Sequence, residues 1–390
     1  MIENVMLIFA DSHLADRSWV DRAIEGDAYF SLEQITKEAV NLKVSAVIGA
    51  GDLFDRQTNR ANPIAVFNQN IDRLQEAEIP FYFVQGQHDM QANGYRWPET
   101  HRWPVSLNNF TVGIGPYHVH GLDFTPSPLL QIALGSIPAS ATIGIFHQVW
   151  ENWMGVGNPD GRFEEISSVI MGFSGDLHKT VKTKVTGRDG QELMMYSPGS
   201  TAMQDISEPP EKYFLVLRDD GTVITRKLKT RPFMKIGLLA TPDEADQLMA
   251  NIGGLVEQQW DLTANQGYPE SVRAPLIRVV YPHFLGDIGR RLRAAVAGRG
   301  HVFEKELPPE KLMPQVSSSA GLMAADDADA GTAATLDLML DEYVETQQIG
   351  GYAETCHRLL SSPDVPAELR KMRDEVLTQE TADVQKDEQA

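Results

Sequence analysis

The sequence has a single cysteine, Cys356, so no intramolecular disulfide can form, and the composition suits a reducing compartment. No apolar run approaches the roughly 18 residues of a membrane span. The short hydrophobic stretch Met6 to Ala10 has no basic region before it and runs straight into Asp11, so no signal peptide is expected and a cytosolic location is. Glycine (31) and proline (22) are unexceptional, and 42% of residues are hydrophobic, which excludes a collagenous or wholly disordered chain. At 390 residues the chain is long enough for two to three domains with sizeable cores.

Positive charge is scarce. Lys and Arg number 34 against 54 Asp and Glu, a net charge of −20, whereas a phosphate-binding surface usually leaves a basic footprint. The distribution is uneven: residues 1–225 carry −12, 226–310 carry +2 and 311–390 carry −10. Only the middle block is cationic, its basic residues bunching at Arg226, Lys227, Lys229, Arg231 and Lys235 and again at Arg290, Arg291, Arg293 and Arg299. Taken alone, such a block fits a solvated surface face.

Short β-rich runs alternate with amphipathic stretches over the first two hundred residues. Met6–Ala10, Ala46–Ala50, Phe81–Gln85, Thr142–Phe146 and Val169–Phe173 are expected to be buried strands. Ser31 with Gln34 has the spacing of a capping box before the periodic Leu32, Ile35, Ala39 and Leu42, and a second helix is expected from about Pro63 to Glu76. Asp220-Gly221 between two β-rich runs signals a hairpin. The expected organisation is a layered α/β domain over 1–229, a small α+β module over 230–312 (strand Leu276–Tyr281, helix about 285–297, strand Val302–Leu307), a flexible linker over 313–335 that includes Asp326, Asp327 and Asp329, and an acidic helical tail over 336–390.

The polar residues that carry chemistry sit where these strands end. Asp11 and His13 follow the first, Gly51 to Asp55 the second, Gly86-Gln87-His88-Asp89 the third, His147 the fourth and Gly175 to His178 the fifth. In a doubly wound sheet, ligands bind beyond the carboxyl ends of the strands, so groups scattered over 168 positions would converge. Asp-x-His leaving a strand would direct both side chains to one side, since residues i and i+2 share a face. Each element alone is weak: a lone strand histidine is more often a hydrogen-bonded core residue, and Gly-Asp more often a turn. Five in register argue for a metal site, and carboxylates, imidazoles and an amide without cysteine favour Mn²⁺, Mg²⁺ or Fe over structural zinc. Asp55 fits a supporting residue or a plain turn aspartate equally. His118 and His120 fit a structural role, and Trp97, Trp103, Trp150 and Trp153 fit core packing better than base stacking.

The motifs Asp11-Ser12-His13, Gly51 to Asp55, Gly86 to Asp89, His147 and Gly175 to His178 resemble those of the calcineurin-like metallophosphoesterases in order and spacing. Tyr196-Ser197-Pro198-Gly199-Ser200 is similar to a stretch of the SbcD-type DNA-repair nucleases, and Leu336 to Val344 to the end of phage recombination endonuclease subunits. The resemblance implies an α/β/β/α sandwich with a small DNA-contacting capping domain and a C-terminal helical tail. It also implies two divalent cations, with Mn²⁺ favoured over Mg²⁺. Asp11, His13, Asp52 and His178 would hold the first ion; Asp52, Gln87, His147 and Asp176 would hold the second. His88 would be the non-ligating catalytic imidazole, with Asp89 or another acceptor fixing its tautomer. Implied partners are DNA, an SbcC-like SMC-type coiled-coil ATPase bound by the tail through Leu336, Met339, Leu340 and Tyr343, and a second copy of the chain in a homodimer; a phage-encoded origin is also implied. The implied activity is metal-dependent exonuclease and endonuclease hydrolysis of DNA. Two departures bear on the second ion: Gln87 stands where that family usually has Asn, and Asp176 where it has His. Gln is longer than Asn and Asp shorter than His, so one displaced ion would satisfy both changes, and the added carboxylate favours hard ions. Loss of the second ion would instead leave a weakened, DNA-end-binding scaffold. A small-substrate phosphatase or phosphodiesterase would share the site without needing the module or the tail.

Overall fold

The computed structural model describes residues 3–15, 24–55, 61–89, 96–154, 159–239, 241–296 and 298–307. The linker and tail expected over 313–390 lie outside the described residues. Residues 1–310 make up one compact unit.

Two six-stranded sheets form the framework. The first runs in the order Val223–Lys227, Tyr213–Arg218, Asn4–Phe9, Ala46–Ala50, Phe81–Val84, Val105–Ser106. The second runs Phe110–Ile114, Tyr117–Gly121, Ile143–His147, Met171–Gly175, Glu192–Ser197, Val181–Thr186. The strands bearing the motifs pair in parallel: Asn4–Phe9 with Ala46–Ala50, that strand with Phe81–Val84, and Ile143–His147 with Met171–Gly175. Their carboxyl ends therefore point one way within each sheet.

The strand sequences are apolar on both faces because both faces are covered. Along Asn4–Phe9, Leu7 and Phe9 pack with Leu32, Ile35, Phe67, Ile71 and Leu74, from the helices Asp27–Leu42 and Ala61–Glu76. The alternate residues Met6 and Ile8 join Ile48, Ile143, Ile145 and Phe173 in the core between the sheets. Phe146, Leu193 and Met195, on the far side of the second sheet, pack under Leu130 and Leu134 of the helix Ser127–Gly135. The order of layers is α/β/β/α. Trp150 is fully buried in that last cluster, its Nε1 donating to Ser174 Oγ at 2.9 Å, and Trp97, Trp103 and Trp153 pack against the cores. His120 is buried, hydrogen-bonded to Thr111 Oγ1 at 2.8 Å.

Ser31 does not open its helix. The helix begins at Asp27, four residues earlier, and Ser31 Oγ donates to Ala28 O at 2.9 Å from a buried position inside it. Burial of Asp27 and Ala28 against the rest of the protein extends the helix past the residue whose side chain favours a start. The hairpin at Asp220-Gly221 forms, with Gly221 at φ +82°, a left-handed conformation that glycine adopts without steric cost.

Residues 233–307 carry their own sheet and core. Phe233–Leu238, Leu276–Pro282 and His301–Leu307 are all parallel, with the helices Pro242–Asn265 and Ile288–Val296 between successive strands. The first strand and the 24-residue helix add to the elements expected from sequence. That helix is opened by Thr241, which accepts from Glu244 N while Glu244 reaches back.

The charge of this block is spent locally. Arg290 pairs with Asp287, Arg291 with Asp246, Arg293 with Glu304, Arg299 with Glu257 and Lys227 with Glu211. Arg231 is buried, in a bidentate pair with Asp27. The cationic face expected from the tally is therefore partly neutralised, because these six side chains lie next to acids, while Arg226, Lys229 and Lys235 have no ion pair among the described residues.

Candidate metal centre

The five strand ends converge. His13 Nε2 lies 3.2 Å from His178 Nε2 and 3.9 Å from Asp52 Oδ2. His147 Nε2 lies 3.3 Å from Asp52 Oδ2 and 3.8 Å from Asp176 Oδ1, and its Nδ1 is 3.8 Å from Asp11 Oδ1. Gln87 Nε2 donates to Asp176 Oδ1 at 2.7 Å. Among the described residues, three groups of potential ligand atoms are close enough to share an ion: Asp11, His13 and His178; His13, Asp52 and His88; and Asp11, Asp52 and His147.

The backbone that presents these groups is unusual. Asp11, His13, Asp52 and Asp176 all have left-handed φ, at 50°, 42°, 48° and 79°. Asp11 and His13 thus share one site through two left-handed residues rather than as an extended i, i+2 pair, the geometry expected from the sequence. The turn is held by Asp11 N donating to Gly51 O and His13 N to Asp52 O, both at 3.0 Å. Conformations of this kind cost about 1–3 kcal/mol each in non-glycine residues and persist where surrounding structure enforces them. Gly51 permits the closest approach: at φ +88°, a Cβ there would stand 2.2 Å from His147 Nδ1. Gly51→Ala is expected to destabilise the fold by about 2 kcal/mol or more and to displace His147; chemical denaturation with and without Mn²⁺ measures both effects.

Second partners fix the imidazoles. His147 Nδ1 faces Ala50 O at 2.9 Å and His178 Nδ1 faces Glu208 Oε1 at 2.8 Å, so each donates there and directs Nε2 into the cluster. Glu208 is held in turn by Lys212, a fully buried lysine whose Nζ also donates to Ser200 Oγ at 2.7 Å. Glu208 and Lys212 are functional residues the sequence reading missed; the available signal was Ser200 at the end of the Tyr196–Ser200 stretch. His88 Nδ1 is 2.7 Å from Asp55 O, and its Nε2 is 3.9 Å from Asp52 Oδ2. Asp55 thus supports the site through its backbone, with its carboxylate 3.8 Å from His13 Nδ1. Asp89 does not fix the tautomer of His88. It is fully buried, its oxygens accepting from Phe54 N at 2.9 Å and Gly86 N at 3.1 Å, and so it ties the second and third motif loops together.

The electrostatics are those of buried acids facing imidazoles. Burial raises Asp11 to about 6 against the pull of His147 and His178. Burial also works to raise Asp52, but His147 and His13 overcome it and hold its carboxyl well below the usual range. For His147, burial opposes the charge, yet Asp52, Asp11 and Asp176 bring it up to about 10. His13 goes the other way, lowered to about 3 by burial. Burial lifts Glu208, but its bonds to His178 and Lys212 bring it down to about 2.

These residues fit divalent cations on two observations. His147 Nε2 and Gln87 Oε1 are buried with no hydrogen-bond partner among the described residues, and each can offer a lone pair at the cluster. His13 and His178 present nitrogen to nitrogen at 3.2 Å, a contact that only a shared proton or cation satisfies.

The fold and the site define a class. The family model described as calcineurin-like phosphoesterase matches residues 5–170, and this stretch forms a calcineurin-like metallophosphoesterase domain, of a family that uses divalent metal ions. More particularly, the chain is similar to proteins called DNA double-strand break repair protein Mre11. That of Methanosarcina mazei is 26% identical over 270 residues, 64% of this chain and 42% of the relative. That of Saccharolobus solfataricus is 25% identical over 224 residues, 53% of this chain and 58% of the relative. The matched stretches thus span about half the length of these relatives. Among solved structures, a purple acid phosphatase from yellow lupin seeds is 14% identical, with a TM-score of 0.38, covering 58% of this chain and 52% of that one. Among the described residues, no helix is long and apolar enough to cross a membrane.

Proposed function

We propose that the protein is a divalent-metal-dependent DNA phosphodiesterase, acting as exonuclease and endonuclease in the cytoplasm. The observation that carries this reading is the convergence of Asp11, His13, Asp52, Gln87, His147, Asp176 and His178 around unpartnered ligand atoms. DNA as substrate is supported by the similarity to Mre11. Asp11, His13, Asp52 and His178 would hold one ion, and Asp52, Gln87, His147 and Asp176 the other. When bound, such a pair supplies Lewis acidity toward a phosphoryl oxygen and a nucleophile at neutral pH.

This chain's own residues would do the rest. His88 is the exposed imidazole of the site, with 44% of its side chain accessible. Its Nδ1 donates to Asp55 O, which turns Nε2 toward the site; in the imidazolium form Nε2 would donate to a phosphate oxygen or pass its proton to the leaving 3′ oxygen. Lys179 and Lys182, one and four positions beyond His178, are exposed without an ion-pair partner among the described residues and suit sequence-independent phosphate contacts. The expected capping domain over 230–312 would contribute shape more than charge. The tail over 336–390 would engage an SbcC-like ATPase, and two copies of the chain would form the working dimer.

His88→Ala is expected to lower Mn²⁺-dependent cleavage of linear duplex DNA by about 10²–10⁴-fold, the range for a general acid, while leaving Mn²⁺ binding intact. Equal rates would remove His88 from the mechanism. The ion-paired arginines of 226–307 favour a second reading, a phosphodiesterase of small substrates. Faster turnover of a chromogenic phosphodiester than of duplex DNA would select it.

A further inference from the structure

Gln87 and Asp176, the two departures from the family motifs, lie 89 positions apart in sequence and touch. Their contact determines which way the amide faces. A carboxylate only accepts hydrogen bonds, so the amide must turn its NH₂ toward Asp176, as it does at 2.7 Å. Its oxygen is thereby turned away from Asp176, where it is buried without a partner among the described residues. The other unpartnered ligand atom of the cluster, His147 Nε2, stands 3.8 Å from Asp176 Oδ1 and 3.3 Å from Asp52 Oδ2. This side of the site offers three oxygen-bearing side chains and one imidazole. The opposite side is different: His13 and His178 bring two imidazole nitrogens to 3.2 Å, with the Asp11 carboxylate in the same group.

Imidazole suits zinc and other late transition ions, whereas carboxylate and carbonyl oxygens suit Mg²⁺ and Mn²⁺. We propose that the two cation positions are chemically unequal: a nitrogen-rich one at His13 and His178, and an oxygen-rich one at Gln87, Asp176 and His147 that selects a hard ion because carboxylate and amide oxygens outnumber imidazole there. The inference rests on the two-cation reading above. Every position of this kind binds Zn²⁺ more tightly than Mn²⁺ in absolute terms, so the signature is the ratio between positions.

The test uses crystals of the full chain soaked in equimolar Mn²⁺ and Zn²⁺, with anomalous scattering collected at each metal's edge, alongside calorimetric Mn²⁺ titration in solution. The zinc-to-manganese ratio is expected to be higher at His13 and His178 than at Gln87 and Asp176. Asp176→Asn keeps an acceptor for the amide and tolerates the left-handed backbone, so the fold is preserved while a charged oxygen is lost. It is expected to weaken Mn²⁺ at the oxygen-rich position by about 10–100-fold and leave the other position unchanged. Two ions with equal or reversed ratios, or an Asp176→Asn variant that binds like the wild type, would overturn the inference alone. A wild type that binds a single ion overturns the two-cation reading with it.

Discussion

Asp52→Asn is expected to lower metal-dependent phosphodiester hydrolysis by about 10³-fold or more, equivalent to roughly 4 kcal/mol of lost transition-state stabilisation. The size follows from position. Asp52 Oδ2 lies 3.3 Å from His147 Nε2 and 3.9 Å from both His13 Nε2 and His88 Nε2, so one carboxylate borders both halves of the cluster. Asparagine removes the charge that would bridge two cations yet keeps an oxygen for the bond from His88 N, which Asp52 Oδ1 accepts at 2.9 Å. The loop is therefore expected to keep its shape. Initial rates on linear duplex DNA and on a chromogenic phosphodiester in excess Mn²⁺, with circular dichroism as the control for folding, test this. A variant retaining more than a tenth of the rate on either substrate would mean that the bridging carboxylate lies elsewhere.

The largest effect on stability is expected at Arg231. Its guanidinium donates to both oxygens of Asp27, to Ala274 O at 3.0 Å, to Glu25 O at 2.8 Å and to Ser271 O at 2.7 Å. The pair is buried, at 2% and 8% side-chain exposure. It joins the segment leading into the three-stranded sheet to the first turn of the helix Asp27–Leu42. Arg231→Ala leaves a buried carboxylate without its counter-ion and several carbonyls short of a donor, a change that costs about 3–5 kcal/mol. At a few degrees per kcal/mol, the thermal midpoint should fall by about 10 °C. Arg231→Lys should recover less than half of the loss, since an ammonium cannot reproduce the planar fork. A thermal scan of the three proteins decides, and a fall under 2 °C for the alanine variant would show the junction to be held by other contacts.

Much of the framework could be read from residues because local and global signals agree there. Ala46–Ala50 is a strand to the residue, and Asp220-Gly221 forms its hairpin, since apolar runs and a left-handed turn residue leave few alternatives. The convergence of the site was legible for the same reason: each polar motif abuts the end of an apolar run, and parallel pairing brings those ends together. What escaped depended on contacts between distant positions. Ser31 resembled a helix start until burial of Asp27 and Ala28 moved the start back a turn. Arg231 looked like one more surface cation, and only the fold brings Asp27 within reach across 204 positions. Glu208 and Lys212 carry no motif; their role exists because His178 and Ser200 lie beside them. Asp89 sits next to His88 in sequence, yet its carboxylate faces Phe54 and Gly86.

The left-handed backbone at Asp11, His13, Asp52 and Asp176 sets a limit on how far this molecule can be hardened. Glycine or asparagine would relax those four positions and raise resistance to heat. Selection for thermal endurance alone should therefore erode the cluster first, and a lineage that keeps these side chains at high temperature must gain its robustness in the surrounding layers.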